Sequence, residues 1–411
     1  MKITGRELEK NSIIVFSVTM ISNIMNYMFQ VAMVRMLDVE VFGLMNVLFS
    51  FITILSFPIT VISLVVSKLV IEYGAGVINK AYIFIVCVMC CFLAAGILAR
   101  EGLSGFINVN EIYLVVFSIV ISGMQMVLFV AMGGLQGRKK FYALSLVIVV
   151  PSVFRFFGSI VFINLGWGLL GVLFSFFLGI IIAILTGVIL LRDTAEQTVE
   201  LIEIDKSKII RYVGVVFFVN MGITLMTNMD NIIVNRYFSD TELGVYSVAG
   251  MLVKLIFFLS NTFTWVLFPY VVDAVNNIDS TIRLLKKAMF YGAGLSVTAA
   301  VFLIVLSRPV IEVLFGVQYI ESIHYIFSLT LWIVPLSILV ILSNYLLAIN
   351  KANFLACSII IGCILSFVFA SLFNYEISQI INVFAVVSSF LLVVNVAVLC
   401  FIVKNQKKTV I

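Results

Sequence analysis

Long apolar runs alternate with short polar breaks from one end of this chain to the other. Each run is about as long as the 20 residues a helix needs to cross the hydrocarbon of a bilayer. The pattern predicts twelve spans, at Asn11–Val34, Phe42–Ser67, Ala81–Ala99, Ile112–Leu135, Phe141–Ile163, Trp167–Leu191, Ile209–Val234, Leu243–Val272, Ala288–Leu306, Ile323–Ala348, Ala352–Phe373 and Ile380–Val403. The longest break, Leu191 to Tyr212, mixes acids and bases near the middle of the chain. It predicts a cytoplasmic linker at 192–208 between an N-terminal six-helix lobe, 1–191, and a C-terminal six-helix lobe, 209–411.

Composition agrees with a lipid solvent. Of the 411 residues, 63% are hydrophobic and 11% charged, against roughly 45–50% apolar in soluble domains. The opening MKITGRELEKN is polar and leads into more than twenty apolar residues, which predicts a retained span and not a cleaved signal peptide. Basic residues fix the direction. Of the 25 Lys and Arg residues, only Arg35, Arg100, Arg236 and Arg308 fall on outer loops if the N-terminus is cytoplasmic; Arg155 and Lys254 fall inside spans. Both termini are therefore expected in the cytoplasm. Anionic lipid accounts for the basic inner loops and the net charge of +5, so no nucleic-acid partner is called for. The six cysteines all sit in apolar runs and read as lipid-facing or packing residues, with no disulfide framework and no metal site.

The two halves look alike. VRMLDVEVFGLMNVL, at the end of the first span, aligns with NRYFSDTELGVYSVA at the end of the seventh, matching Arg35 with Arg236 and Gly43 with Gly244. GRKKFYALS similarly matches NKANFLACS through Phe141 and Phe354, Ala143 and Ala356, and Ser145 and Ser358. Six spans per half give both halves the same orientation. The expectation is an all-α polytopic membrane protein whose lobes form a parallel repeat about a pseudo-two-fold axis, with a central cavity between them.

Charge inside the membrane marks candidate chemistry, because each such residue costs at least about 2.5–3.5 kcal/mol on the insertion scale. Arg155 lies roughly 12 Å and Lys254 roughly 16 Å from the outer ends of their spans. Asp230 is the one acid well inside a span. Two readings stand. In the first, Asp230 and Lys254 form a structural pair between helices while Arg155 snorkels or meets backbone carbonyls. In the second, Arg155 and Lys254 line a wet cavity for an anionic headgroup, with Asp230 as pair partner or ion-coupling site. Asn26, Gln30 and Asn228 are candidate contacts to sugar hydroxyls; Asn23, Asn26 and Gln30 share one helix face by spacing. Amides there serve equally well as interhelical hydrogen bonds. No nucleotide-binding loop, catalytic triad or carboxylate pair is found, so neither an enzyme nor a cofactor is expected. The single histidine, His324, reads as an interfacial residue.

The segments VRMLDVEVFGLMNVLFSFITILSFP, GGLQGRKKFYALS, LGWGLLGVLFSFFLG, MDNIIVNRYFSDTELGVYSVAGMLVKLIFFLSNTFTWVLFPYVV and VLFGVQYIES resemble the polysaccharide transporter family. These are the Wzx-type flippases of the multidrug/oligosaccharidyl-lipid/polysaccharide exporter superfamily. The resemblance covers nearly the whole chain and implies twelve helices in two lobes around a V-shaped cavity with basic residues. It implies undecaprenyl-diphosphate-linked oligosaccharide as cargo, an O-antigen, capsule or exopolysaccharide unit, turned from inner to outer leaflet of a bacterial cytoplasmic membrane by alternating access. Implied partners are membrane lipid, a coupling cation (H+ or Na+) and the polysaccharide polymerase machinery. Arg155 and Lys254 fit the basic cavity by position, without aligning to a fixed motif residue. The rival reading is a MATE-type, ion-coupled exporter of small molecules.

Overall fold

The computed structural model describes residues 5–192, 206–273 and 278–409, all but the connecting turns helical and without a strand among them. The helices are α1 Gly5–Met36, α2 Val39–Tyr73, α3 Gly76–Leu98, α4 Arg100–Ile107, α5 Ile112–Gly137, α6 Phe141–Asn164, α7 Gly168–Arg192, α8 Lys206–Tyr237, α9 Asp240–Asp273, α10 Ile278–Leu314, α11 Ile323–Ala348, α12 Asn353–Leu372 and α13 Ile377–Thr409, with a 3-10 turn at Val317–Ser322. All but α4 have at least twenty residues and correspond in order to the twelve expected spans. Among the described residues, ten helices are long and apolar enough to cross a membrane by length and composition. The helices α1 and α8 are not among those ten; they carry the amides and Asp230.

Two expected boundaries need correction. The third span is α3 followed, after a break at Ala99, by the short helix α4. The ninth, expected at Ala288–Leu306, is the 37-residue α10, Ile278–Leu314. At 1.5 Å per residue it is about 55 Å long, well beyond the roughly 30 Å hydrocarbon core. An apolar run reports only the part of a helix in lipid; backbone hydrogen bonding continues through the charged turns around Arg283 and Lys287. Of the expected linker, Arg192 still belongs to α7 and Lys206 already to α8; residues 193–205 lie outside the described residues.

The chain divides into two compact units, Met1–Lys206 and Ser207–Ile411. In the first, α2, α3 and α7 pack on α5, α2 touches α3, and α6 packs on α7. In the second, α9, α10 and α13 pack on α11, α9 touches α10, and α12 packs on α13. The same scheme thus recurs, with α5 and α11 as the buried centres. Helix bounds repeat with it: α1 and α8 start and end at positions offset by the same amount that matches Arg35 with Arg236.

Local chemistry explains the joints. The turn into α9 is a capping box, in which Ser239 Oγ donates to Glu242 Oε2 at 2.7 Å and the Ser239 amide to the same oxygen at 3.0 Å, satisfying N-terminal donors reciprocally. α5 and α11 end in the same left-handed turn. Lys139 has φ 58° and Asn350 φ 55°, and the amides of Lys140 and Lys351 reach back to Leu135 O and Leu346 O, each at 2.9 Å. This is a Schellman closure. The α2–α5 contact depends on Gly133 and Gly137, where an added Cβ would stand 2.5 Å from Ser63 O and 2.7 Å from Ser67 O. Small residues four apart let two backbones touch in lipid, where van der Waals packing drives association. Basic side chains of the α5–α6 turn then finish α7: Arg138 Nη1 donates to Leu191 O and Lys140 Nζ to Leu190 O, both at 2.7 Å. They satisfy carbonyls that a helix end leaves open.

Candidate functional site

In the first unit a polar strip runs along the contact of α1 and α6. Ser22 Oγ donates to Ile148 O at 3.4 Å, and Asn26 Nδ2 donates to Ser152 Oγ at 3.3 Å. One helical turn on, Phe29 lies against Arg155. These pairs have the same sequence separation, so the two helices run parallel and in register. That register carries Arg155 to its place.

The Arg155 guanidinium carbon stands 4.3 Å from the centre of the Phe29 ring, 3.8 Å from Phe49 and 5.0 Å from Phe176. α1, α2 and α7 each supply one ring, and the rings brace one another edge to face: Phe29–Phe49 and Phe49–Phe176 both have centroids 5.8 Å apart. Among the described residues Arg155 has no hydrogen bond and no ion pair. Its Nε is buried without a partner, and the residue as a whole is partly exposed. A desolvated cation–π contact is worth about 2 kcal/mol, so three together rival the roughly 2.5–3.5 kcal/mol of placing the charge in the membrane. Rings stabilise a cation without neutralising it. The charge remains available to an anion, and the remaining donor surface is the terminal edge of the guanidinium.

The neighbouring amides are engaged locally. Gln30 Nε2 is 3.5 Å from Asn46 Oδ1, Asn46 Nδ2 donates to Phe42 O at 2.9 Å, and Gln30 Oε1 is buried and unpartnered.

In the second unit the charges are paired. Lys254 Nζ, on α9, lies 3.0 and 2.8 Å from the two carboxylate oxygens of Asp230 on α8. Tyr246 Oη, two turns before Lys254, donates to Asp230 Oδ2 at 2.9 Å. Asp230 is 1% exposed and the Lys254 side chain 18%. The ammonium also stands 5.9 Å from the ring of Trp332, a buried α11 residue that packs on Phe384 of α13 with centroids 5.1 Å apart. Gly250 leaves room beside the carboxylate, since an added Cβ would be 4.0 Å from Asp230 Oδ2.

The expected site residues therefore fall into two clusters, one per unit. Asn26 and Arg155 share the α1–α6 strip, with Gln30 beside them turned to Asn46 of α2; Asp230 and Lys254 are in contact. Asn228 joins neither, because its amide nitrogen is held by its own helix at Thr224 O, 2.9 Å, and Thr227 Oγ1, 3.0 Å. Phe29, Phe49, Phe176, Tyr246 and Trp332 escaped the sequence reading, since aromatic residues in an apolar run carry no signal of their own. No group of His, Cys, Asp and Glu among the described residues could hold a metal ion. All six cysteines are free; Cys363 donates to Gly222 O at 3.2 Å and the others are exposed. Beside Cys363, a cavity of ≈ 230 Å³ opens between α8, α12 and α13, with Met226, Met229, Phe367 and Phe384 in its apolar wall.

These features define a class: a multi-pass helical membrane protein built from two repeats, with charge held inside each repeat. Solved structures share the fold. An inward-facing multidrug resistance MATE family transporter of the MOP superfamily superposes with a TM-score of 0.78 at 13% identity, over 97% of this chain and 99% of that one. The lipid II flippase MurJ, inward closed, gives 0.70 at 14% identity over 94% and 87%, and an outward-facing MATE family transporter 0.69 at 14% over 97% and 95%. Comparison with curated protein sequences finds no significant match. Residues 32–324 match the family described as polysaccharide biosynthesis protein, and the chain belongs to that family.

Proposed function

We infer that this protein is a flippase that moves a diphosphate-linked, lipid-anchored oligosaccharide from the inner to the outer leaflet of a bacterial cytoplasmic membrane by alternating access, with both termini in the cytoplasm. The unpaired guanidinium of Arg155 carries this reading. A guanidinium edge presents parallel N–H donors that match two phosphate oxygens. Membership in a polysaccharide biosynthesis family supports a sugar cargo and a downstream polymerase as its consumer. Likeness to a lipid II flippase and to drug exporters concerns the fold and does not choose between their cargoes. The aromatic box does bear on that choice. Three rings around one point are what an organic cation would seek, and here the chain fills that place with its own arginine. A small cationic drug finds it occupied.

The test is leaflet-resolved chemistry. In cells lacking this protein, the lipid-linked oligosaccharide is expected to accumulate out of reach of an impermeant probe of the outer leaflet. The wild-type gene should restore access and Arg155→Ala, inserted at equal level, should not. Normal outer-leaflet access without the protein, in a strain with no second flippase, would overturn the reading.

A further inference from the structure

The two units differ at one helix pair. In the first, α1 packs along α6 in parallel register, with Ser22, Asn26 and Phe29 meeting Ile148, Ser152 and Arg155. In the second, α8 and α12 are the counterparts, and α8 comes close to α12 at Gly222. An added Cβ there would overlap the Ile359 side chain, and Cys363 Sγ donates to Gly222 O at 3.2 Å. One turn further on, at Met226, the cavity of ≈ 230 Å³ stands between the two helices. Its wall includes Met226 and Met229 of α8, Ser366 and Phe367 of α12, and Phe384 of α13. Ile364, also in the wall, is 58% exposed, and Ile361 and Val368 on the same face of α12 are exposed with it. The mouth of the cavity therefore lies on an apolar outer face, where a membrane protein meets lipid.

The chemistry of the wall selects what fills it. A buried water needs roughly two to four polar partners. The wall side chains offer one free polar atom, the Ser366 hydroxyl, which is buried and unpartnered; the Cys363 thiol is already spent on Gly222 O. A polar or charged ligand would give up its hydration and gain nothing in return. An empty gap would forfeit the dispersion contacts of every atom that lines it. A flexible hydrocarbon chain meets none of these objections, and methionines adapt to its irregular outline. We propose that the gap between α8 and α12 is a binding site for one acyl chain of a bilayer phospholipid. The fold itself leaves the gap, so its occupant must always be at hand. Acyl chains are the solvent of this face, whereas a cargo chain comes and goes. The bound chain does for α8 what α6 does for α1, packing along its side. It thereby sets the stance of the helix that carries Asp230, the residue next to Met229. The inference needs only that these helices cross a membrane, and it is independent of the flippase reading.

The experiment uses the full-length protein in nanodiscs of phosphatidylcholine, doped with a phosphatidylcholine that carries a diazirine midway along one acyl chain. Adducts formed on illumination are mapped by mass spectrometry of peptides. Lipid that merely surrounds the protein labels outward residues such as Ile83 and Phe84 of α3, which are 68% and 67% exposed. Only a chain inside the gap reaches Met226 and Phe384, which are 1% and 2% exposed. Adducts on these two are expected at a yield comparable to that on α3. Met229→Trp fills the gap and should lower them about fivefold or more, since a packed interior admits no further chain, while labelling of α3 stays the same. Leu225→Ala widens the gap and should keep or raise them, which preserves the test if the tryptophan variant does not fold. No adducts on Met226 and Phe384 in the wild type, undiminished adducts in folded Met229→Trp, or their loss in Leu225→Ala would each overturn the site. Geranylgeraniol at the mole fraction of the probe should leave the adducts unchanged; displacement by it would assign the gap to a prenyl chain and overturn the phospholipid.

Discussion

Asp230 stands in the second unit where Phe29 stands in the first. The offset that aligns Arg35 with Arg236 pairs these two residues and also pairs Phe49 with Gly250. Both members of the Phe29–Phe49 contact belong to the box around Arg155, and both members of its counterpart lie at the Asp230 carboxylate. Each repeat therefore holds a cation between its first two helices. In one the charge arrives from α6 and meets rings; in the other it arrives from α9 and meets an acid. The second charge is neutralised by its partner; the first has no acid beside it.

Arg155→Lys is expected to fail nearly as badly as Arg155→Ala. A lysine keeps the charge and loses the planar fork that stacks between rings and presents two parallel donors. Leaflet-resolved flipping in the complemented null strain should fall by tenfold or more, with unchanged protein level by immunoblot.

Phe49→Leu removes the ring nearest the guanidinium while keeping an apolar side chain. Loss of about 1–2 kcal/mol of cation–π stabilisation predicts a less stable protein, read as a lower midpoint of thermal unfolding in detergent.

Breaking the buried pair from one side should cost far more than removing it whole. Asp230→Ala strands the Lys254 ammonium, a loss of about 3–5 kcal/mol for a buried pair. Asp230→Asn with Lys254→Gln should recover most of that. Thermal unfolding of the purified variants in detergent measures both, and equal stability of the two variants would contradict the buried pair.

Gly137→Leu is predicted to separate α2 from α5. The new side chain meets backbone at Ser67 O and the Val70 side chain, with the hypothetical Cβ already at 2.7 and 2.8 Å. A backbone atom cannot rotate away, so the cost should exceed the usual 1–3 kcal/mol of overpacking, seen as lost monodisperse protein in size-exclusion chromatography.

Arg138→Ala should loosen the C-terminal turn of α7 alone. One hydrogen bond to Leu191 O from a charged donor is worth about 1.5–3 kcal/mol. Hydrogen exchange of the amides around 188–192 should quicken while those of α5 stay protected.

Much of the molecule is legible in residue order, for a physical reason. A bilayer forces each crossing segment to be apolar and to satisfy its own backbone, so helix order and repeat follow from local composition and from the Arg35/Arg236 match. The identity of the charged residues follows too, because a buried charge is conspicuous against 63% hydrophobic background. What those charges meet is another matter. Nothing in the run VVPSVFRFFGSIVFI says that Arg155 lies among Phe29, Phe49 and Phe176, which come from three other helices and are three of 37 phenylalanines. The α1–α6 register decides it. Nor does spacing say that Lys254 and Asp230 touch; the close approach of α8 and α9 at these two residues does. Lipid rewards every apolar residue alike, so local sequence can set where helices cross, and only tertiary contact can choose which side chains become neighbours.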